Sequence, residues 1–326
     1  MRQLGVRLAV AVGATLALGA ATSSAGAACH EPVVVASFVS GQDIPESVTT
    51  DDVGNLYVTN GSSILKRPPG GTFSVFATLP LPVFALGVKV GPDGCVYNVS
   101  TSLSAEVEGA FVWRICLENA VEVFAELDPT GAPNDLAFTD DGSLYVTDPV
   151  LGRIWKVDSG GNPSVFADHP LLDGVETDPA LVFRPLGANG IAVDKRGKNL
   201  FVSNTDQASV VRIPLTGSSH TPQLFVQNAA LRGADGVAFD QSGTLFVAVN
   251  GRDALVSVKA NGHVSEVESG PPLDSPSSLV FGATHADKHQ LYLVSSAFLR
   301  TLGIATGTPA PALLAVRAST PGIPLP

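Results

Sequence analysis

The sequence predicts an all-β chain folded as a six-bladed propeller of four-stranded blades. Three observations predict it: a unit that recurs at blade-sized intervals, short β-rich runs broken by tight-turn signals inside each unit, and no sustained 3.6-residue hydrophobic period beyond the amino terminus. The copies are ESVTTDDVGNLYVTN (46–60), LGVKVGPDGCVYNVS (86–100), NDLAFTDDGSLYVTD (134–148), NGIAVDKRGKNLFVSN (189–204) and DGVAFDQSGTLFVAVN (235–250). A looser sixth copy is SSLVFG followed by QLYLVSS (277–296). Their first residues lie 40, 48, 55, 46 and 42 apart, the range of a four-stranded blade.

The amino terminus is not part of the repeat. Arg2 and Arg7 flank the start of an apolar run from Leu8 to Ala21, which gives way to small residues ending Ala25-Gly26-Ala27. That is the three-part pattern of a secretory signal peptide cleaved after Ala27, and the run is short for a membrane span. A lipoprotein signal ending at Cys29 is the rival, but Gly26 stands where a leucine is normally wanted. Residues 28–326 are expected to be one exported propeller domain. No other apolar run is long enough to span a membrane.

Next comes Val33 to Phe38 (VVVASF), a strand-like run with no place in the first unit. The last unit supplies strands near 278–281, 290–295 and 311–317 but no fourth. The early segment is therefore predicted to complete the sixth blade as its outer strand and so join the chain ends. In the second unit Cys95 opens one strand and Cys116 closes the next. A hairpin would set them opposite each other, and an oxidising compartment favours a disulfide between them over two reduced buried thiols.

The third unit shows the blade plan most clearly, with strands at Leu136 to Phe138, Leu144 to Thr147, Arg153 to Val157 and Ser164 to Ala167. Asp93-Gly94 and Asp141-Gly142 read as hairpin turns. The connectors TLPLPVF (78–84) and DHPLLDGVETDPALVFRPLG (168–187) are apolar. Placed over the channel mouth, with Leu171, Leu172, Val182 and Phe183 forming a partial lid, they would favour a substrate more hydrophobic than a sugar acid; packing for stability alone explains them equally well.

Composition excludes several classes. The chain is 45% hydrophobic and 15% charged, ample for a core, and its net charge of −11 disfavours a nucleic-acid partner. A small molecule or a cation fits better, with a monomer as the default state. Nucleophile-elbow, phosphate-loop and HExxH signatures are missing. The histidines His30, His169, His220, His263, His285 and His289 show no zinc spacing.

The residues that open the six units are Glu46, Leu86, Asn134, Asn189, Asp235 and Ser277. The first strand of a propeller blade lines the axis, so these side chains are expected to converge there. A carboxylate at a low-dielectric axis is costly without a partner, and none of the six positions is a lysine or arginine. A divalent cation resolves that cost. Two carboxylates and two amide carbonyls form the all-oxygen set that suits Ca²⁺ rather than zinc.

Glu46 in PES, Asn134 in PND, Asn189 in ANG and Asp235 in ADG resemble the gluconolactonase and regucalcin (SMP-30/LRE-like) family of calcium-dependent six-bladed propellers, to which diisopropylfluorophosphatase is similar. The resemblance spans nearly all of the mature chain. It implies that Glu46, Asn134, Asn189 and Asp235 bind one catalytic Ca²⁺, that Asp135 faces the ligand, and that Asp235 is the general base or nucleophile. Calcium would polarise a lactone carbonyl or a phosphoryl group while an aspartate activates water or attacks. The expected activity is a secreted calcium-dependent hydrolase of lactones or related esters acting on a small molecule. A non-catalytic, calcium-stabilised scaffold like the NHL-repeat propellers is the alternative. Two departures set the substrate apart: Ala132 stands where the sugar-lactone hydrolases carry arginine, and Ile44-Pro45-Glu46-Ser47 replaces their Gly-Glu-Gly-Pro.

Overall fold

A computed structural model describes residues 31–80, 82–102, 109–116, 120–175, 185–217 and 219–325. The expected signal peptide, Cys29, Val182 and Phe183 lie outside the described residues. Within them the chain forms six four-stranded antiparallel sheets. In blades I to V the strands follow one another from axis to rim. The inner strands are Pro45–Thr50, Val83–Val90, Leu136–Phe138, Ala188–Val193, Ala234–Phe239 and, in blade VI, Pro276–Phe281. Consecutive inner strands touch around the ring, and the sixth meets the first, which closes it.

The closure is the one read from the sequence. Blade VI runs Pro276–Phe281, Gln290–Ser295, Ala312–Arg317 and then Val33–Ser37 at the rim. Val33 pairs with Ala315 and Ser37 with Ala312. Val35, Ala36 and Phe38 pack against Val48, Leu56, Val58, Val280, Val294 and Leu313, so the early segment belongs to the core between blades VI and I.

Local chemistry explains the repeat. In the LYV and LFV segments the aromatic residue of the second strand meets a phenylalanine of the fourth: Tyr57 with Phe76, Tyr97 with Phe124, Tyr145 with Phe166 and Phe201 with Phe225, edge to face at 4.8–5.2 Å. Such contacts fill the space between blades with the preferred ring geometry. The Asp-Gly signals are turns. Gly142 sits at φ +81°, and the Asp141 carboxylate, held low by the Thr139 hydroxyl and the Ser143 N–H, caps the hairpin. Among the described residues helix is confined to short pieces such as the single turn Phe298–Thr301.

Cys95 and Cys116 form the expected disulfide, next to the pair Val96 and Ile115 in the antiparallel ladder. The described ends of the apolar connectors are anchors. Leu79 and Val83 are buried with Tyr57, Ile64 and Trp113 between blades I and II, and Leu172 is buried with Ile191 and Val202 between blades III and IV. Leu171 packs against the same cluster. Among the described residues these side chains serve the core, which competes for apolar groups more strongly than an open mouth does.

A candidate metal centre at the propeller axis

In five of the six blades a bulge in the inner strand aims the opening residue. The ladder between the first and second strands slips between Pro45 and Val48, Ala85 and Val88, Ala188 and Ile191, Ala234 and Val237, and Pro276 and Ser278. In blade III the strand proper begins at Leu136, while Asn134 donates its N–H to Thr147 O and Asp135 O accepts from Thr147 N. A bulge bends the strand and redirects side chains, a device common beside functional sites.

The residue after each opening residue locks neighbouring blades together. At Gly87, Gly190 and Gly236 a Cβ would lie 2.4–2.7 Å from the backbone of the next blade. Only glycine permits that approach. Where the residue is larger it becomes a staple: Ser47 Oγ accepts from Val88 N at 3.2 Å, Ser278 Oγ from Val48 N at 3.3 Å, and Asp135 Oδ2 from Ile191 N at 3.2 Å. Second-strand hydroxyls complete the lattice. Thr147 Oγ1 accepts from Asp135 N and donates to Asn189 O, and Ser203 Oγ accepts from Gly190 N and donates to Asp235 O. The Asn-Gly and Asp-Gly pairs at 189 and 235 are thus ring positions, unlike the hairpin turns at 93 and 141.

On this frame Glu46, Asn134, Asp135 and Asp235 line one narrow cleft at the axis, together with Ser47, Ser277 and Ser278. Ser277 Oγ donates to Glu46 O at 2.6 Å and holds that corner. Asn189 is not among the cleft's lining residues. It stands on the inner strand between those of Asn134 and Asp235 and is only 5% exposed. Its Nδ2 donates to Thr205 Oγ1 at 2.9 Å, which in turn donates to Ala234 O, while its Oδ1 has no partner. A buried carbonyl left unpaired costs about 1–3 kcal/mol.

The electrostatics point the same way. Burial, then the charges of Asp235 and Asp135, push the Glu46 carboxyl well above the usual range, against a downward pull from Lys89. Burial and then Asp135 raise Asp235, opposed by the Gly236 N–H and the Asn250 side chain. Two mutually repelling carboxyls, an amide at the cleft and an amide oxygen without a donor make a site with more negative than positive charge and with oxygen to offer. Those residues fit a hard divalent cation such as Ca²⁺.

Three contributors were not legible as site residues. Lys89, three residues past Leu86, brings Nζ within 3.7 Å of Asp135 Oδ1, so a cation does enter the axis, although not at an opening position. Thr205 and Asn250 each stand just past the end of a second strand: the Thr205 hydroxyl accepts from Asn189 Nδ2, and the Asn250 side chain favours the ionised Asp235 carboxyl. Their signal is positional, one residue beyond the SN and AV endings of the repeat. Asp135 has both oxygens engaged, Oδ1 by Leu136 N and Lys89 and Oδ2 by Ile191 N.

The sequence profile of the SMP-30/gluconolactonase/LRE-like region matches residues 44–297, which contain every residue of this centre. The chain belongs to the SMP-30/gluconolactonase/LRE-like family. Among its relatives, the gluconolactonase of Zymomonas mobilis subsp. mobilis is 28% identical over 257 residues, covering 72% of this chain and 67% of the relative. A luciferin-regenerating enzyme shares the fold with a TM-score of 0.64 at 13% identity, over 90% of this chain and 99% of its own. Regucalcin from Agrobacterium tumefaciens, a calcium-binding protein, does so with a TM-score of 0.61 at 16% identity, over 89% and 95%. No helix among the described residues of this family member is long and apolar enough to cross a membrane.

A pH dependence follows from the raised carboxyls. With divalent ions chelated, Glu46 and Asp235 take up protons in the folded state before the unfolded chain does, so their contribution to stability is present at low pH and lost as pH rises through their elevated values. Chelated protein is expected to melt higher at about pH 5.5 than at about pH 8, above the range in which ordinary carboxylates titrate. Glu46→Gln should flatten the difference. Thermal melts across that range check it, and a melting temperature that falls on acidification would contradict it.

Proposed function

We propose that this chain is a secreted, calcium-dependent hydrolase that opens a small lactone or related ester less polar than a sugar lactone. The observation that carries the reading is the meeting of Glu46, Asn134 and Asp235 at one axial cleft, with the unpartnered Asn189 Oδ1 on the strand between. These four residues would hold one Ca²⁺, which when bound supplies Lewis-acid polarisation of the substrate carbonyl. Family membership and the gluconolactonase relative support the lactonase class.

Asp235 takes the role of base or nucleophile. Its buried carboxyl lines the cleft, and the Asn250 side chain favours its ionised form. Asn134 lines the same cleft and orients the substrate through its amide. Asp135, whose oxygens are taken by backbone N–H groups and Lys89, positions the ring between blades III and IV and shapes the floor under the substrate. Ala132 at the mouth removes a guanidinium that would favour polar sugar hydroxyls. Export is supported by the signal-like amino terminus and by the Cys95–Cys116 disulfide, since such bonds persist in oxidising compartments.

A panel of aliphatic, aromatic and sugar lactones assayed with calcium and with chelator tests the reading. Expected is turnover that requires the ion and favours the less polar lactones. Calcium binding without turnover on any lactone or ester would instead identify the non-catalytic, NHL-like scaffold.

A further inference from the structure

We propose that Lys89 is a counter-charge built into the axis that sets its preference for one divalent ion. The inference rests on the calcium reading above and concerns a residue outside the ligand set. Lys89 lies on the inner strand of blade II, whose opening residue, Leu86, offers no side-chain oxygen. Its Nζ stands 3.7 Å from Asp135 Oδ1, with the two side chains 20% and 8% exposed. Its charge also reaches Glu46, where it acts against burial and the two aspartates.

Counting ionised groups gives the consequence. With an ion bound, the carboxylates of Glu46, Asp135 and Asp235 would carry three negative charges and Lys89 one positive, which leaves two for that ion to neutralise. A divalent ion balances the centre, and a trivalent one overcharges it. Without the ammonium the order reverses. Such differences are large at an axis where neighbouring charges are poorly screened by water.

Lys89 also stands between two environments. Further along the inner strands it lines an open pocket of about 180 Å³, whose walls include Ala137, Asp140, Ile191, Asp194 and Lys195. Lys89 thus borders both that pocket and Asp135, and its ammonium repels a further cation approaching the carboxylates. A lysine serving only to pair with Asp135 would stabilise the fold and leave ion affinity and valence preference unchanged. That difference can be measured.

Calorimetric titration of wild type, Lys89→Met, Lys89→Gln and Lys89→Arg with Ca²⁺ and separately with Tb³⁺ tests the proposal. Each protein is purified in calcium and titrated against a competing chelator, so that a variant needing the ion to fold is still measured. Expected are one Ca²⁺ per wild-type chain and an affinity about tenfold higher in the Met and Gln variants. Because Coulomb energy scales with ion charge, the gain for Tb³⁺ should be about thirtyfold. The Arg variant should stay within about threefold of wild type, since it keeps the charge. Wild-type affinities for both ions in the neutral variants, with one Ca²⁺ still bound, would overturn the counter-charge and leave the calcium reading intact. Absence of Ca²⁺ binding in all four proteins would overturn both.

Discussion

Asp235→Asn is expected to lower kcat for calcium-dependent lactone opening by about 100- to 10,000-fold, the range associated with loss of a positioned general base. The substitution keeps the shape of the side chain, while it removes the charge that either activates water or attacks the carbonyl. Its backbone partner is unaffected, because Ser203 Oγ donates to Asp235 O and not to the carboxyl. Fold should therefore survive, with an unchanged circular dichroism spectrum. Calcium affinity should fall as well, so the comparison is made at saturating ion, where loss of a ligand and loss of a base separate. Near wild-type kcat under those conditions would assign the chemistry to another group.

Deletion of residues 28–40 is expected to abolish folding, whereas deletion of 28–32 should leave the melting temperature close to wild type. The larger deletion removes the rim strand Val33–Ser37 and strips Ala312–Arg317 of its outer partner, leaving a row of unpaired N–H and C=O groups. It also uncovers Val48, Leu56, Val280, Val294 and Leu313 at the junction where the ring closes, and removes Phe38, whose ring packs 5.7 Å from Phe73. Ring closure ties the sixth blade to the first, so loss at this seam is not confined to one blade. A soluble truncated protein with wild-type stability, by near-ultraviolet circular dichroism and thermal melting, would show that the seam holds without it.

The fold was legible because its physics is local and repeated. The second-strand aromatic, the hydroxyl two residues on in LYVT and LFVS and the Gly, Ser or Asp after each opening residue act between adjacent blades, and the turn glycine acts inside each blade, so the same need writes the same residue several times. The closing strand could be found because one blade lacked a strand and one segment lacked a blade. Glu46, Asn134 and Asp235 were legible for the same reason, as they occupy equivalent positions on different blades. Lys89 was not, because it breaks the repeat: it reaches the axis from a different register, and its partner Asp135 lies on the next blade. The apolar connectors left two roles open for a related reason. Leu79 and Leu172 look alike whether they cap a mouth or fill a seam, and composition alone does not choose between water and core.

The central claim, that four oxygen-bearing side chains from four blades enclose one cation, is tested most directly by a crystal grown in Ca²⁺ and measured at a wavelength where calcium scatters anomalously. The account predicts a single strong peak at the axis, with Glu46, Asn134, Asn189 and Asp235 oxygens about 2.3–2.6 Å away. Anomalous density elsewhere, or none at the axis in crystals saturated with calcium, would contradict it.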